Sequence, residues 1–493
     1  MLRIPRPKEV SPQPLSGLAD VVQATRTGAD VDVTGVSLDS QKVRPGDLYA
    51  ALPGARRHGA EFLAQAVAAG AVAAVSDARG AAVAAELGLP CLTVDEPRVV
   101  VGALAARVYG DPTRSLRVIG VTGTNGKTST AYLIEAGLRQ AGRITGLIGT
   151  VETRVGDETI QSERTTPEAP ELQSLFAYAA ERGVTDVVME VSSHALALHR
   201  ADGIHFAAGG FTMFGLDHLD FHADVDDYFA AKRLLFDGRS AVEIVNVDDA
   251  RVATLTTSDS VTYSIDGLAA DWSARDITGS GFDQTYTVTG PDGRERPGAV
   301  RLPGRHNVAN ALLAYACLAA VGVDPETAIA GVAACPGVPG RMELVSGDHP
   351  IRGVVDYAHK PDAIEAVLAA LRPITSGRLI AVLGAGGDRD KGKRFIMGRA
   401  AAEGADLVIV TDDNPRTEDP AAIRADVLTG VGDAEHLDIA GRGAAVDEAV
   451  ALARPGDTIA LLGKGHETGQ ELADRIVPFD DRRALADALD GVR

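Results

Sequence analysis

Between an apolar run at residues 116–121 and a helix-forming stretch at 128–140, the chain carries Gly123-Thr124-Asn125-Gly126-Lys127-Thr128. A strand that turns through two glycines into a helix leaves the first N–H groups of that helix converging on one spot, where they bind phosphate. In that setting Lys127 neutralises terminal phosphates, the Thr128 hydroxyl ligates Mg²⁺, and Ser129 follows in the first turn. The longer Walker spacing needs glycine five positions before Gly126, where Val121 stands. The loop is therefore a compact GxxGKT form, which points away from GTPases and motor ATPases. The bland alternative is a tight strand-to-helix turn with no ligand.

A chain of 493 residues is too long for one ordinary core, and its length suggests about three domains. With 48 basic and 68 acidic residues, the net charge of −20 disfavours coating nucleic acid or an anionic membrane. An anionic substrate must be held by local Lys, Arg and N–H groups. Three cysteines without CxxC spacing argue against a disulfide framework or structural zinc and suit a reducing compartment. No window approaches the roughly 18 apolar residues of a membrane span, and residues 1–15 are broken by proline and charge. A cytoplasmic, monomeric enzyme is expected.

The first hundred residues alternate short strands (47–52, 71–75, 92–94) with an Ala-rich helix at 61–69, a small α/β unit. After a Pro-containing linker at 111–113, the phosphate loop and an apolar run at 187–190 indicate a parallel sheet. Residues 261–302, rich in Thr, Gly and aromatics, read as an antiparallel flap. The turn-dense segment 336–341 marks a further boundary. Three buried strands then repeat, 379–383, 407–410 and 458–462, each followed by a polar glycine-bearing loop. Ligands gather at the carboxyl ends of such strands, so the loops 384–394, 411–418 and 463–467 are expected to converge. The domains expected are 1–112, 113–338 and 339–493, an all-α/β three-domain architecture.

Glu190 ends its strand beside the phosphate loop, a position that suits a metal-binding carboxylate or a solvated boundary. His218 and His222 have i,i+4 spacing, but no third zinc ligand accompanies them, and His218 is favoured as a Mg²⁺ contact. Lys232 falls in a helix expected at 226–236 and is either a solvated lysine or an amine made reactive by burial or metals. Arg389 replaces the third glycine of an imperfect dinucleotide fingerprint, which rejects an NAD site. In Asp413-Asn414-Pro415-Arg416 the arginine suits bidentate carboxylate binding, with a plain Asx turn as the alternative. Residues 463–467 (GKGHE) space their glycines too closely for a second phosphate loop and read as a ligand loop.

These motifs, joined by Asp39-Ser40, Thr165-Thr166-Pro167, Gly304-Arg305-His306-Asn307, Gly340-Arg341-Met342-Glu343 and Asp356-Tyr357-Ala358-His359, resemble the Mur ligase family over roughly residues 34–467. The resemblance implies a small N-terminal α/β domain that binds a UDP-linked substrate. It implies a central ATPase-like parallel sheet with an antiparallel flap, and a C-terminal Rossmann-like domain for the amino acid. The DNPR and GKGHE segments resemble the family member that adds meso-diaminopimelate to the γ-carboxylate of D-glutamate in the UDP-N-acetylmuramoyl dipeptide, through an acyl phosphate.

By the same resemblance, Ser40 contacts uridine, and Thr165, Thr166, Ser192 and Arg200 hold the muramoyl dipeptide. Asn307 and Asn310 lie near adenine, while Arg341, Asp356 and His359 approach ribose or phosphate. Arg389, Asp413, Asn414, Pro415, Arg416, Gly463 and Glu467 bind diaminopimelate. Lys232 matches a lysine that the family carbamylates with CO₂ into a Mg²⁺ ligand, alongside Thr128, Glu190 and His218, for a pair of Mg²⁺ ions beside ATP. Leu198 stands where some members carry glutamine. Two alternatives stay open: a related ligase adding L-lysine, and an ATP-gated switch that ligates nothing.

Overall fold

In a computed structural model of the chain, residues 4–54, 56–160, 164–280 and 282–491 are described. The chain divides into two compact units: Met1–Ile277 with Tyr286–Val300 and His306–Cys335, and Thr278–Thr285 with Arg301–Arg305 and Pro336–Arg493.

The first unit holds a small and a large sheet. The small sheet orders Thr25–Thr27, Cys91–Thr93, Ala73–Ser76, Asp47–Ala50 and Gly35–Ser37, parallel except for the first strand. The helix expected at 61–69 begins instead as a 3₁₀ turn, Gly59–Phe62, and becomes α-helical over Leu63–Ala68. A reciprocal cap tightens that turn: the His58 ring accepts from Ala60 N, and the Glu61 carboxylate accepts from His58 N.

In the large sheet Arg117–Thr122 lies between Asp186–Glu190 and Phe206–Phe211, both parallel to it. Their side chains at Val118, Ile119, Val121, Val187, Val188 and Met189 are at most 1% exposed. A parallel strand covered on both faces has no polar side to alternate with, which is why these runs read as continuously apolar. Glu243–Asn246 and Val261–Ser264 continue the parallel order and Trp272–Ser280 pairs parallel to Val261–Ser264, so the start of the segment expected as an antiparallel flap, 261–302, extends the parallel sheet instead; Asp283–Thr289 and Glu295–Val300 follow to the edge. Along Asp283–Thr289, Gln284, Tyr286 and Val288 turn inward, in line with the alternation in the sequence. The helix Arg305–Ala320 is apolar nearly all round because it is covered nearly all round.

The second unit is built on a six-stranded sheet ordered Glu343–Leu344, Arg352–Asp356, Thr458–Leu462, Leu379–Leu383, Leu407–Val410 and His436–Asp438. All but the first strand run parallel. The three apolar runs seen in the sequence are adjacent strands here. The loops that leave their carboxyl ends therefore stand side by side.

Candidate active site

The phosphate loop leaves Arg117–Thr122 and enters the helix Lys127–Gln140. Gly126 caps that helix at φ 88°, and a Cβ there would sit 2.5 Å from Asn310 Oδ1. Glycine is thus required both by the left-handed backbone and by the close approach of the helix carrying Asn307 and Asn310. Those two asparagines are buried, and Asn310 Nδ2 donates to Asn307 Oδ1 at 2.9 Å. Thr124 N donates to Met213 O at 2.8 Å, and the Thr124 hydroxyl meets Tyr228 Oη at 3.1 Å, so the loop is braced from behind.

Lys127 Nζ folds over the loop and donates to Gly123 O and Thr124 O, both at 2.9 Å. Thr128 Oγ1 donates to Glu190 Oε1 at 3.0 Å. Glu190 is 1% exposed and also accepts from Thr150 N at 2.8 Å and Thr150 Oγ1 at 3.1 Å. Among the described residues no cationic side chain pairs with it. A buried carboxylate met only by neutral donors is poised for a cation. From Thr150 the network runs to Thr165 Oγ1 at 2.9 Å, and from the Glu190 carbonyl to Thr166 Oγ1 at 2.9 Å. Ser192 N donates to the same Thr166 hydroxyl. Through its carboxylate and its main-chain carbonyl, Glu190 therefore ties the phosphate loop to the residues expected to hold the dipeptide.

Lys232 is not a solvated helix lysine. It ends a helix, Val225–Arg233, that passes into a 3₁₀ turn, and it is 1% exposed. Its Nζ donates to Gly123 O at 2.7 Å and lies 4.7 Å from the Tyr228 ring centroid. Desolvation, then the neighbouring Lys127 cation, holds its amine well below the ordinary lysine range, against a smaller opposing effect of Asp217. An uncharged amine is the form that attacks CO₂. His218 adopts φ 54° and stands edge-on to His194 at 4.7 Å, while His222 is used up by Ser193 Oγ at 3.0 Å and Asp227 at 3.1 Å. The i,i+4 pair thus has one half-exposed member and one structural member. His194, which the sequence did not single out, packs against both rings, and burial pushes its pKa down.

Ser40 is buried, with Oγ donating to Gln65 at 3.1 Å, on a cavity of about 360 Å³ lined by Asp39, Gln41, Tyr49, Arg57 and Phe62. Arg200 pairs Glu168 at 2.9 Å and reaches Thr166 O at 3.5 Å. Arg98, also missed, donates to the Leu198 carbonyl at 3.4 Å, so the main chain of that position is engaged whatever its side chain.

In the second unit Asp356 ends its strand, and its carboxylate accepts from Met342 N and Ala358 N at 2.7 Å each. Burial raises its pKa. Arg341 lies 4.8 Å over the Tyr357 ring, and His359 Nδ1 meets Tyr357 O at 2.9 Å. Burial lowers the His359 pKa. Arg416, at φ 52°, donates Nε to Glu471 at 2.6 Å and Nη1 to Gly387 O at 2.8 Å. Gly463, at φ 113°, donates to Asp356 O and lies against Asp413, whose carbonyl accepts from Gln470. Pro415 O receives Glu418 N. Asn414 donates to Glu467 at 2.9 Å, and Arg389 is exposed at the tip of its loop. The three loops do converge. Beneath them Arg442 and Asp481, both fully buried, form a two-pronged pair, with Nε and Nη2 at 2.7 and 2.6 Å.

Comparison with known proteins finds one family over nearly the whole chain. The Mur ligase middle domain matches residues 121–318, the Mur ligase glutamate ligase domain 340–465, and the Mur ligase family catalytic domain 32–109. A UDP-N-acetylmuramoyl-L-alanyl-D-glutamate–2,6-diaminopimelate ligase of Streptomyces coelicolor is 52% identical, covering 98% of each chain. One of the same description from Corynebacterium glutamicum is 47% identical over 96% of this chain and 95% of its own. A solved structure of such a ligase superposes with a TM-score of 0.69 at 32% identity, covering 94% and 95%.

Proposed function

The chain belongs to the Mur ligase family, and from that premise we propose how its residues carry the family's reaction. It is an ATP-dependent amide ligase of peptidoglycan precursor synthesis that adds meso-2,6-diaminopimelate to UDP-N-acetylmuramoyl-L-alanyl-D-glutamate. No helix among the described residues is long and apolar enough to cross a membrane, and the substrates are small molecules; we read the enzyme as a cytoplasmic monomer. The domains we assign are 1–112 for the UDP-linked substrate, 113–338 for ATP and 339–493 for the amino acid.

The observation that carries the assignment of roles is the Glu190 network, which joins Thr128 to Thr150 and Thr165. In this reading the loop N–H groups and Lys127 hold the terminal phosphates, with Asn307 and Asn310 beside the base. Thr165, Thr166, Ser192 and Arg200 bring the D-glutamate γ-carboxylate to the phosphoryl group. Phosphorylation converts that carboxylate into an acyl phosphate with a good leaving group. The amine of diaminopimelate then attacks the acyl carbon, and phosphate departs from a tetrahedral intermediate. Lys127 stabilises charge on the transferring group.

Thr128, Glu190, His218 and a carbamylated Lys232 would hold Mg²⁺. Oxygen donors with one imidazole suit that hard cation, and the uncharged buried Lys232 amine suits carbamylation. The ion, when bound, neutralises phosphate charge. Arg389, Asn414, Arg416, Gly463 and Glu467 receive diaminopimelate, with Arg416 for its second carboxylate.

The test is ADP and tripeptide formation from ATP, Mg²⁺ and the UDP-linked dipeptide, with meso-diaminopimelate, L-lysine or no amino acid. Product with diaminopimelate alone is expected. Equal turnover with lysine would discard the Arg416 argument, and equal ATP turnover with no acceptor would replace the ligase by an ATP switch.

A further inference from the structure

Lys464 is 0% exposed, and a buried ammonium is stable only where its partners offset a desolvation cost of several kcal/mol. Its Nζ donates to Asn414 Oδ1 at 3.0 Å and to Glu467 Oε2 at 2.9 Å. Asn414 Nδ2 donates to the same Glu467 oxygen at 2.9 Å, which closes a triangle of three side chains from two loops.

The orientation of the Asn414 amide follows from its neighbours. Lys464 Nζ and Glu471 N, the latter at 2.9 Å, are groups that can only donate, and both meet Oδ1. They fill its two lone pairs. The amide cannot turn over without facing NH₂ toward two donors. Its Nδ2 has one N–H on Glu467 and a second to offer. Glu467 likewise receives both donors on Oε2 and keeps Oε1, which has no partner among the described residues.

We propose that Lys464 is a positioning residue for the amino-acid substrate, fixing Asn414 as an N–H donor to a carboxylate and Glu467 as an acceptor for an ammonium. The inference rests on the assignment of Asn414 and Glu467 to the amino acid made above. It adds that the polarity of the zwitterion is set from below by one buried cation. Lysine is suited to this because its compact ammonium serves two acceptors at once and presents no acceptor of its own.

The test compares wild type with Lys464→Met, which keeps length and removes the charge. Loss of the charge-assisted bonds that orient both partners raises KM for meso-diaminopimelate by about tenfold to a hundredfold. KM for ATP and for the UDP-linked dipeptide stays within about twofold, a difference too small to register as a lost hydrogen bond. A merely structural lysine would move all three together. Adding Asn414→Ala to Lys464→Met costs less than the sum of the two single losses, because Lys464 acts in part through Asn414 and in part through Glu467. A diaminopimelate KM within twofold of wild type, or additive losses, overturns the proposal.

Should Lys464→Met not fold, Asn414→Asp decides. It keeps an acceptor for Lys464 but replaces the outward N–H by oxygen, so KM for diaminopimelate rises at least about tenfold, and an unchanged KM overturns the proposal. Wild type that fails to use diaminopimelate refutes the function assigned above. Wild type that uses it, with no selective effect in the variants, refutes the role of Lys464 alone.

Discussion

Replacing Arg416 by alanine separates recognition of the amino acid from the rest of the machinery. The guanidinium is held by Glu471 at Nε and by the Gly387 carbonyl at Nη1. Two of its five N–H donors are thereby spent, and three remain for a ligand. A carboxylate met by two of them forms a charge-assisted pair whose loss costs about 2–4 kcal/mol. That corresponds to a fall of about 30-fold to 1000-fold in kcat/KM for diaminopimelate. The left-handed backbone at Arg416 adds nothing, because alanine and arginine meet the same restriction at φ 52°. Glu471, with its side chain 45% exposed, rehydrates once its partner is gone, so stability changes by about 1 kcal/mol or less. L-Lysine has no second carboxylate to meet the guanidinium, so whatever trace turnover it gives with wild type does not fall in the variant. The assay is ADP release at saturating ATP and UDP-linked dipeptide, with each amino acid varied. Unchanged diaminopimelate kinetics, or equal losses for both amino acids, refute the reasoning.

Three further outcomes are expected. Lys232→Ala abolishes most activity, short-chain carboxylates restore part of it, and wild type carries a labile CO₂ adduct by intact mass; no rescue and no adduct would remove the carbamate. Asp481→Ala, which leaves the buried Arg442 cation only the Leu462 carbonyl and a 3.8 Å contact to Asp413, lowers stability to unfolding by about 3–5 kcal/mol in denaturant titrations, and a change under 1 kcal/mol would count against it. The His466 pKa is pushed down to about 4 from 6.5, by burial first and Arg341 second. Its contribution is therefore complete above about 6.5 and is lost as pH falls toward 4, because the unfolded chain takes up the proton first. Relative to His466→Gln, wild type loses up to about 1.4 kcal/mol per pH unit across that window, and parallel pH profiles would contradict this.

The sheets were legible because parallel strands are buried on both faces: residues 379–383, 407–410 and 458–462 announce themselves as apolar runs, and their loops as polar interruptions. The phosphate loop was legible because a left-handed glycine cap and a lysine beside it leave a local signature. What stayed hidden was decided by partners distant in sequence. Lys464 reads as one cation in a glycine loop until Asn414, 50 residues earlier, is seen to complete it. Lys232 looked solvated because its helix has an exposed face, yet its amine ends on a loop carbonyl 109 residues away. That His222 is held by Ser193 and Asp227 is likewise not revealed by the spacing of the histidines.

Glu190 has a consequence for inhibitor resistance. Its two oxygens hold Thr128 of the glycine loop and Thr150, with Thr165 beyond. A substitution there cannot trade affinity for one ligand while sparing the other. With Thr128 assigned to the nucleotide and Thr165 to the dipeptide as proposed above, a compound anchored on this carboxylate meets a position with little room to escape, since a change that loosens the drug also loosens both substrates.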